Sequence, residues 1–258
     1  MNIDFELLAK KMIGQTVPKP SSGTLSGHAA GEPFDKLVYK FLKEQLPQNT
    51  FRQYEFLNEL FLDNPQVQSY NERVKLIGTP TISYLLSRGK EPTNKWKPDK
   101  LFEEKQNDTA DIVVSDKDFI HIIDVKTRNM SKNAQAPNII SASKLAGACS
   151  VMLDNNDFDS FDINYIQVDW ILEDKNLVCT NITKADLFKS NPEKLYINWA
   201  SAMQIQFHVN ELNQNYNGDK KNWAKEYLYH FTQEATKRSK YMINEYVIPY
   251  EKYTKSVV

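Results

Sequence analysis

The sequence predicts an α/β fold, a single domain with a central mixed β-sheet flanked by helices. Three observations carry this. Two short apolar runs, Asp111-Ile112-Val113-Val114 and Phe119-Ile120-His121-Ile122-Ile123-Asp124, are joined by the polar segment Ser115-Asp116-Lys117-Asp118 and read as a hairpin. Stripes of apolar residues at helical spacing lie on both sides of it, over 31–46 and 223–248. Strand-like and helix-like segments alternate freely along the 258 residues, with no internal repeat or low-complexity tract, so 1–258 is read as one domain.

Taken in order, residues 3–13 have helical periodicity, and Pro18-Lys19-Pro20-Ser21-Ser22-Gly23 is a loop by composition. Phe34, Leu37, Val38, Phe41 and Leu42 form one stripe of a helix over 31–46. Residues 50–87 read as helical pieces broken at Pro65 and Pro80, and Pro92 and Pro98 punctuate a polar stretch before the hairpin. Beyond Lys126 the chain turns polar, then helix-like over 138–153. Two strands over 163–172 and 177–182 flank the turn Glu173-Asp174-Lys175-Asn176. Residues 203–209 alternate Gln204 and Gln206 against Met203, Ile205 and Phe207, a strand pattern. A long amphipathic helix over 223–248 is expected to end at Pro249.

Composition is that of a soluble globular chain, 41% hydrophobic and 25% charged, with a net charge of −1. That charge does not by itself point to a nucleic acid, but its distribution does. Residues 125–153 carry Lys126, Arg128, Lys132 and Lys144 with no carboxylate, and 73–90 carry Arg73, Lys75, Arg88 and Lys90 with none. Cys149 and Cys179 have neither CxxC spacing nor a histidine partner and read as small core residues in a reducing compartment. The four histidines, His28, His121, His208 and His230, show no zinc spacing; His121 and His208 are expected within strands. With no signal peptide visible and no apolar run of ~20 residues, the expected location is the cytoplasm, away from membranes.

Folding the hairpin brings Asp111 and Asp124 to the same end of a sheet, and strand alternation puts Asp124 and Lys126 on one face. Mg2+ takes oxygen ligands, commonly one or two carboxylates with phosphate oxygens, and the Val125 carbonyl lies between the two side chains. Lys126 would orient the attacking water and favour the transition state of phosphodiester hydrolysis. The competing reading of an isolated pattern of this kind is a solvated hairpin whose acidic ends pair with a lysine, because such matches are common in charged chains.

The arrangement resembles the PD-(D/E)xK nuclease motif, and the surrounding text is similar to the HincII-type type II restriction endonucleases. The matching stretches include Ser22-Gly23-Thr24-Leu25-Ser26-Gly27-His28, Glu103-Glu104-Lys105-Gln106-Asn107-Asp108-Thr109-Ala110-Asp111 and Asp124-Val125-Lys126-Thr127-Arg128-Asn129. They continue through Ala134-Gln135-Ala136-Pro137-Asn138 and Tyr196-Ile197-Asn198-Trp199-Ala200. Ala110 stands where the general motif has proline, and Ser201 departs from the family pattern beside a segment that reads bases.

The resemblance implies a restriction-endonuclease-like fold with Asp111, Asp124 and Lys126 catalytic and Asp111, Asp124 and Val125 holding Mg2+. It implies double-stranded DNA as substrate, cut bluntly at the centre of GTYRAC by a homodimer, with a companion methyltransferase acting on the same site. DNA contacts are expected from Lys90, Arg128, Lys132, Gln135, Ala136, Asn138 and Asn198, with Gln135 wedged at a base step. Asparagine amides suit adenine in the major groove, while Asn138 read alone is equally an N-cap of the following helix. Glu32 is either an accessory acid near the metal or a first-turn acid complementing its helix dipole. The alternatives are a DNA-binding protein that has lost catalysis and a repair or junction nuclease of the same fold. The intact Asp111, Asp124 and Lys126 speak against the first.

Overall fold

The computed structural model describes residues 3–19, 28–62, 72, 75–87, 108–116, 119–133 and 135–254. Pro65, Lys90, Pro92, Pro98 and the turn residues Lys117 and Asp118 lie outside them.

The first helix, α1 (Phe5–Met12), starts where the Asp4 carboxylate accepts the Leu7 N–H at 2.8 Å, and it carries Lys10 and Lys11 in its last turn, complementing the dipole at both ends. The short strand β1 (Thr16–Pro18) follows, where composition had suggested only a loop. Pro18 is tolerated there because β1 is an edge strand, with no second neighbour to receive a donor. Then come α2 (His28–Gln45), β2 (Thr50–Phe51), α3 (Gln53–Leu62) and α4 (Pro80–Leu86). Pro80 begins α4, behind the N-cap Thr79, where its missing N–H costs nothing.

The hairpin is β3 (Ile112–Asp116) and β4 (Phe119–Asn129), and it pairs through Asp116 and Phe119, two residues tighter than the polar turn suggested. After β5 (Asn138–Ser141) the helix α5 (Ala142–Asn155) begins with Ser141 as its N-cap, and it ends in the left-handed Asn156. The helix predicted over 138–153 therefore starts four residues late, and Asn138 is a strand residue, not a cap. β6 (Phe161–Glu173) and β7 (Asn176–Asp186) form a long antiparallel pair around Asp174-Lys175. β8 (Ile197–Asn198) and β9 (Gln204–Gln206) complete the strands, with β8 unread in the sequence and His208 falling beyond β9.

The last helices are α6 (Lys220–Met242) and α7 (Ile248–Thr254), joined by a π-helical turn over Ile243–Val247. Pro249 does not stop the helix. The wider turn just before it loosens the helical ladder where the proline ring would meet the preceding carbonyls, and α7 restarts with Pro249 in its first turn.

Six strands form the main sheet in the order β1-β7-β6-β4-β3-β2, mixed because β4 and β6 run parallel while the other neighbours are antiparallel. A second, three-stranded sheet has the order β5-β9-β8. On one face of the main sheet, Leu8, Met12, Phe34, Val38 and Leu42 of α1 and α2 pack on Ile112, Val114, Ile123, Val125, Ile166 and Val168. Gly31 lets α2 lie close, since a Cβ there would meet Thr127 Oγ1 at 2.8 Å. The other face carries Val113, Ile120, Ile122 and Tyr165 beneath Leu85, Leu145, Cys149 and Trp223. By alternation Asp111, Asp124 and Lys126 belong to this second face, at the end where its apolar cover gives way. Both cysteines are free and buried, and burial pushes the Cys179 thiol up to about 11.

Candidate active site

Ile112 of β3 lies opposite Ile123 of β4, so Asp111, one step before β3 begins, faces Asp124. Asp111 is held at both ends. Its Oδ2 accepts the Val125 N–H at 2.7 Å, taking the place of a strand partner that β3 is too short to supply. Its main-chain carbonyl accepts from Arg52 Nη1 at 3.2 Å. The same guanidinium nitrogen lies 2.8 Å from each carboxylate oxygen of Asp35 and the guanidinium covers the Tyr39 ring, while Glu55 accepts from the Arg52 N–H and the Tyr39 hydroxyl. This network joins α2 and the segment before α3 to the start of β3, and nothing in residue spacing announces it.

Asp124 is buried, and its carboxylate receives the Lys126 ammonium at 2.9 and 2.7 Å. Burial raises the Asp124 pKa well above the ordinary carboxylate value, Lys126 works against the shift, and the Asp111 carboxylate adds to it. Burial opposes the charge on Lys126, but Asp124, Asp111 and, further off, Asp35 outweigh it and hold the lysine above its ordinary pKa. Lys126 is therefore an ammonium at neutral pH. Tyr165, opposite Asp124 on β6 and itself buried, floors the site; Phe207 meets its ring edge-on at 5.4 Å.

This donor set fits a hard divalent cation. Two carboxylates face each other at a buried position, where burial first and the Asp111 carboxylate second raise the Asp124 pKa against the pull of Lys126. The Val125 N–H points to Asp111, and a strand residue sends its N–H and C=O to the same edge, so the Val125 carbonyl leaves beside the same carboxylates. Among the described residues no group of three or more His, Cys, Asp or Glu could hold a metal.

The expected DNA-contacting residues are placed differently from one another. Arg128, two residues beyond Lys126, bonds Asn210 and Glu211 at 3.2 and 3.3 Å. Lys132 and Gln135 are exposed in the connection from β4 to β5, and Ala136 is half-buried there. Asn138 and Asn198 meet in the second sheet through Gln206, a residue read in the sequence only as part of a strand. Ser201 lies beside them, 3.4 Å from the Asn138 amide. Gln167, opposite Lys126, accepts the Val209 N–H at 2.9 Å and so ties the chain after β9 to the catalytic strands. Glu32 lies in the second turn of α2, exposed and paired with Lys36 at 2.6 Å, which pulls its pKa down. The acid whose charge reaches Lys126 from α2 is Asp35.

A mixed sheet brings two facing aspartates and a lysine together at the end of a hairpin, an arrangement that suits phosphodiester hydrolysis. The chain matches the family described as Restriction endonuclease HincII over residues 8–254. It is 58% identical over 242 residues to the type II restriction enzymes HindII and HincII of Haemophilus influenzae, covering 94% of this chain and 94% of each relative. Among solved structures, the NlaIV restriction endonuclease is 8% identical with a TM-score of 0.37, covering 88% of this chain and 85% of that one. The protein belongs to the HincII restriction endonuclease family.

Proposed function

We propose that this endonuclease hydrolyses double-stranded DNA at GTYRAC with Mg2+, cutting at the centre to leave blunt ends, and that it does so as a homodimer in the cytoplasm beside a methyltransferase of the same specificity. The observation that carries the chemistry is the facing of Asp111 and Asp124, with Lys126 bonded to Asp124 two residues along the same strand. Asp111, Asp124 and the Val125 carbonyl would hold the ion, and when bound it supplies charge neutralisation at the phosphate and a more acidic water. Lys126, already an ammonium, orients the attacking water and stabilises negative charge as it develops on the phosphoryl oxygens, which favours the transition state over the ground state. Tyr165 and Ile122, in the apolar cluster on the same face of the sheet, exclude water from behind Asp124.

For recognition, Asn138 and Asn198 contact bases, Gln135 wedges at a base step from its exposed position, and Ala136 lies against the groove. Arg128, Lys132 and Lys90 contact phosphates. Tolerance for either pyrimidine–purine pair at the centre follows from the ease with which such steps unstack, so deformability can be read without base identity. A twofold site is read most simply by a twofold dimer, each subunit cutting one strand. No helix among the described residues is long and apolar enough to cross a membrane.

Sequencing the ends of a plasmid digested in Mg2+ tests this reading. Blunt ends at the centre of GTYRAC and nowhere else are expected. Staggered ends, structure-dependent nicks or cuts at an unrelated sequence would contradict it.

A further inference from the structure

The three-stranded sheet holds a chain of side-chain amides whose polarity is set from one end. Backbone N–H groups can only donate, and those of Ala200 and Ser201 both point at Asn198 Oδ1, at 3.0 and 3.2 Å. This fixes which end of the Asn198 amide is oxygen. Its Nδ2 then donates to Gln206 Oε1 at 2.9 Å, which leaves Gln206 Nε2 to donate to Asn138 Oδ1 at 2.7 Å. Each amide dictates the orientation of the next, and the last, on exposed Asn138, is left with Nδ2 as its donor. Ser201 Oγ lies 3.4 Å from both amide atoms of Asn138, longer than a well-formed hydrogen bond, and does not compete.

The frame around this chain is rigid. Ser201 to Gln204 is a tight turn with Ala202 and Met203 both in the left-handed region, φ 51° and 55°, a conformation that non-glycine residues adopt at a cost and that holds only where the surroundings impose it. Trp199 stacks on Phe231 of α6 with ring centroids 6.4 Å apart. Three residues beyond Gln206, the Val209 N–H is bonded to Gln167, beside the catalytic Lys126. The amide chain is thus referenced to the strands that carry the chemistry.

We propose that Gln206 is a specificity-determining residue, acting through Asn138: it fixes the Asn138 amide so that DNA meets a donor at Nδ2, with one lone pair of Oδ1 still free. That pattern complements the major-groove edge of adenine, whose N7 accepts and whose N6 amino group donates. The inference rests on the DNA-cutting reading above and adds the base and the atom that reads it. Gln206 touches no base in this account. It excludes the flipped amide, which would offer an acceptor to N7 and repel it.

The test compares the wild type, Gln206→Glu and Gln206→Met on duplexes carrying the mapped cleavage site, with each adenine in turn replaced by 7-deazaadenine, which lacks the N7 acceptor. At one adenine the wild type should lose about ten- to a hundredfold in kcat/KM, the size of one base-edge contact. Gln206→Glu sets a carboxylate against Asn138 Oδ1 and turns the amide round, so it should cut the natural site more slowly by a similar factor and show no further loss with 7-deazaadenine. Gln206→Met deletes the donor without adding charge, which separates the polarity effect from repulsion of DNA, and should shrink the same ratio. A wild type indifferent to 7-deazaadenine, or variants that keep the wild-type ratio at every adenine, would overturn the proposal while leaving the cleavage reading intact. A wild type that cuts no DNA overturns both.

Discussion

Of the three residues proposed as catalytic, Asp111 lies outside the strand that precedes the turn and is held there by tethers of its own. Its side chain substitutes for a strand partner at Val125, and its carbonyl is gripped by an arginine that is itself held by Asp35. Arg52→Ala strands a mostly buried carboxylate and should destabilise the fold by roughly 3 kcal/mol. Arg52→Lys keeps the charge but loses the planar guanidinium whose Nη1 bonds both Asp35 and the Asp111 carbonyl. It should raise the Mg2+ concentration for half-maximal cleavage about tenfold or more, as the loss of support behind a metal ligand does, with kcat recovering at saturating Mg2+. A lowered melting temperature with an unchanged Mg2+ requirement would make Arg52 a structural residue only. That Asp111, Asp124 and Lys126 come together was legible in the sequence, because a hairpin and strand alternation place them at one end and on one face. Arg52 and Asp35 were not, because they reach the site across 59 and 17 residues respectively from their partners.

Strands are where sequence and structure part most. β4 runs five residues beyond Asp124, through polar Lys126, Thr127, Arg128 and Asn129, because it is registered in parallel with β6 as far as Trp170. A solitary reading of that polar text sees a loop; pairing with a long neighbour overrides it. The same holds for β5, where Asn138 pairs with Gln206 from a remote part of the chain. The caps Asp4 and Thr79 went unread although they are local, and α4 shows what a cap contributes. Asp157, buried in the turn between α5 and β6, accepts the Thr81 N–H and the Ser160 hydroxyl. Burial alone would raise its pKa, but the bonds from Ser160, Thr79 and Thr81 lower it on balance. A depressed carboxylate stabilises the fold above its unfolded pKa, near 3.8, and that stabilisation is lost as pH falls from there through the folded value. Asp157→Asn should lower the melting temperature at pH 7, and the gap from wild type should close as pH drops below about 4. A gap independent of pH would mean that its charge contributes nothing.

The molecule as a whole carries an exposed apolar surface on its last described helix. Along α7 and the turn before it, Ile243, Tyr246, Val247, Ile248, Tyr250 and Tyr253 are between 48% and 66% exposed, a contiguous apolar run on helical spacing. A second copy of the chain, which the proposed twofold DNA site calls for, is the partner proposed for this surface. The protein should sediment as a dimer, and Tyr246→Glu with Tyr250→Glu, adjacent on one helix face, should shift it toward monomer. A double variant that remains dimeric places the interface elsewhere.

The central claim, that the facing aspartates and the lysine on the β3–β4 hairpin form the nuclease site, is tested most directly by Asp124→Ala. Cleavage of a sequenced plasmid in Mg2+ and retention of a duplex carrying the site in Ca2+, which binds oxygen ligands but activates water poorly, are measured side by side with wild type. The wild type should give discrete fragments and the variant intact DNA, with the duplex still retained by the folded variant. Near wild-type cleavage by Asp124→Ala would contradict the assignment.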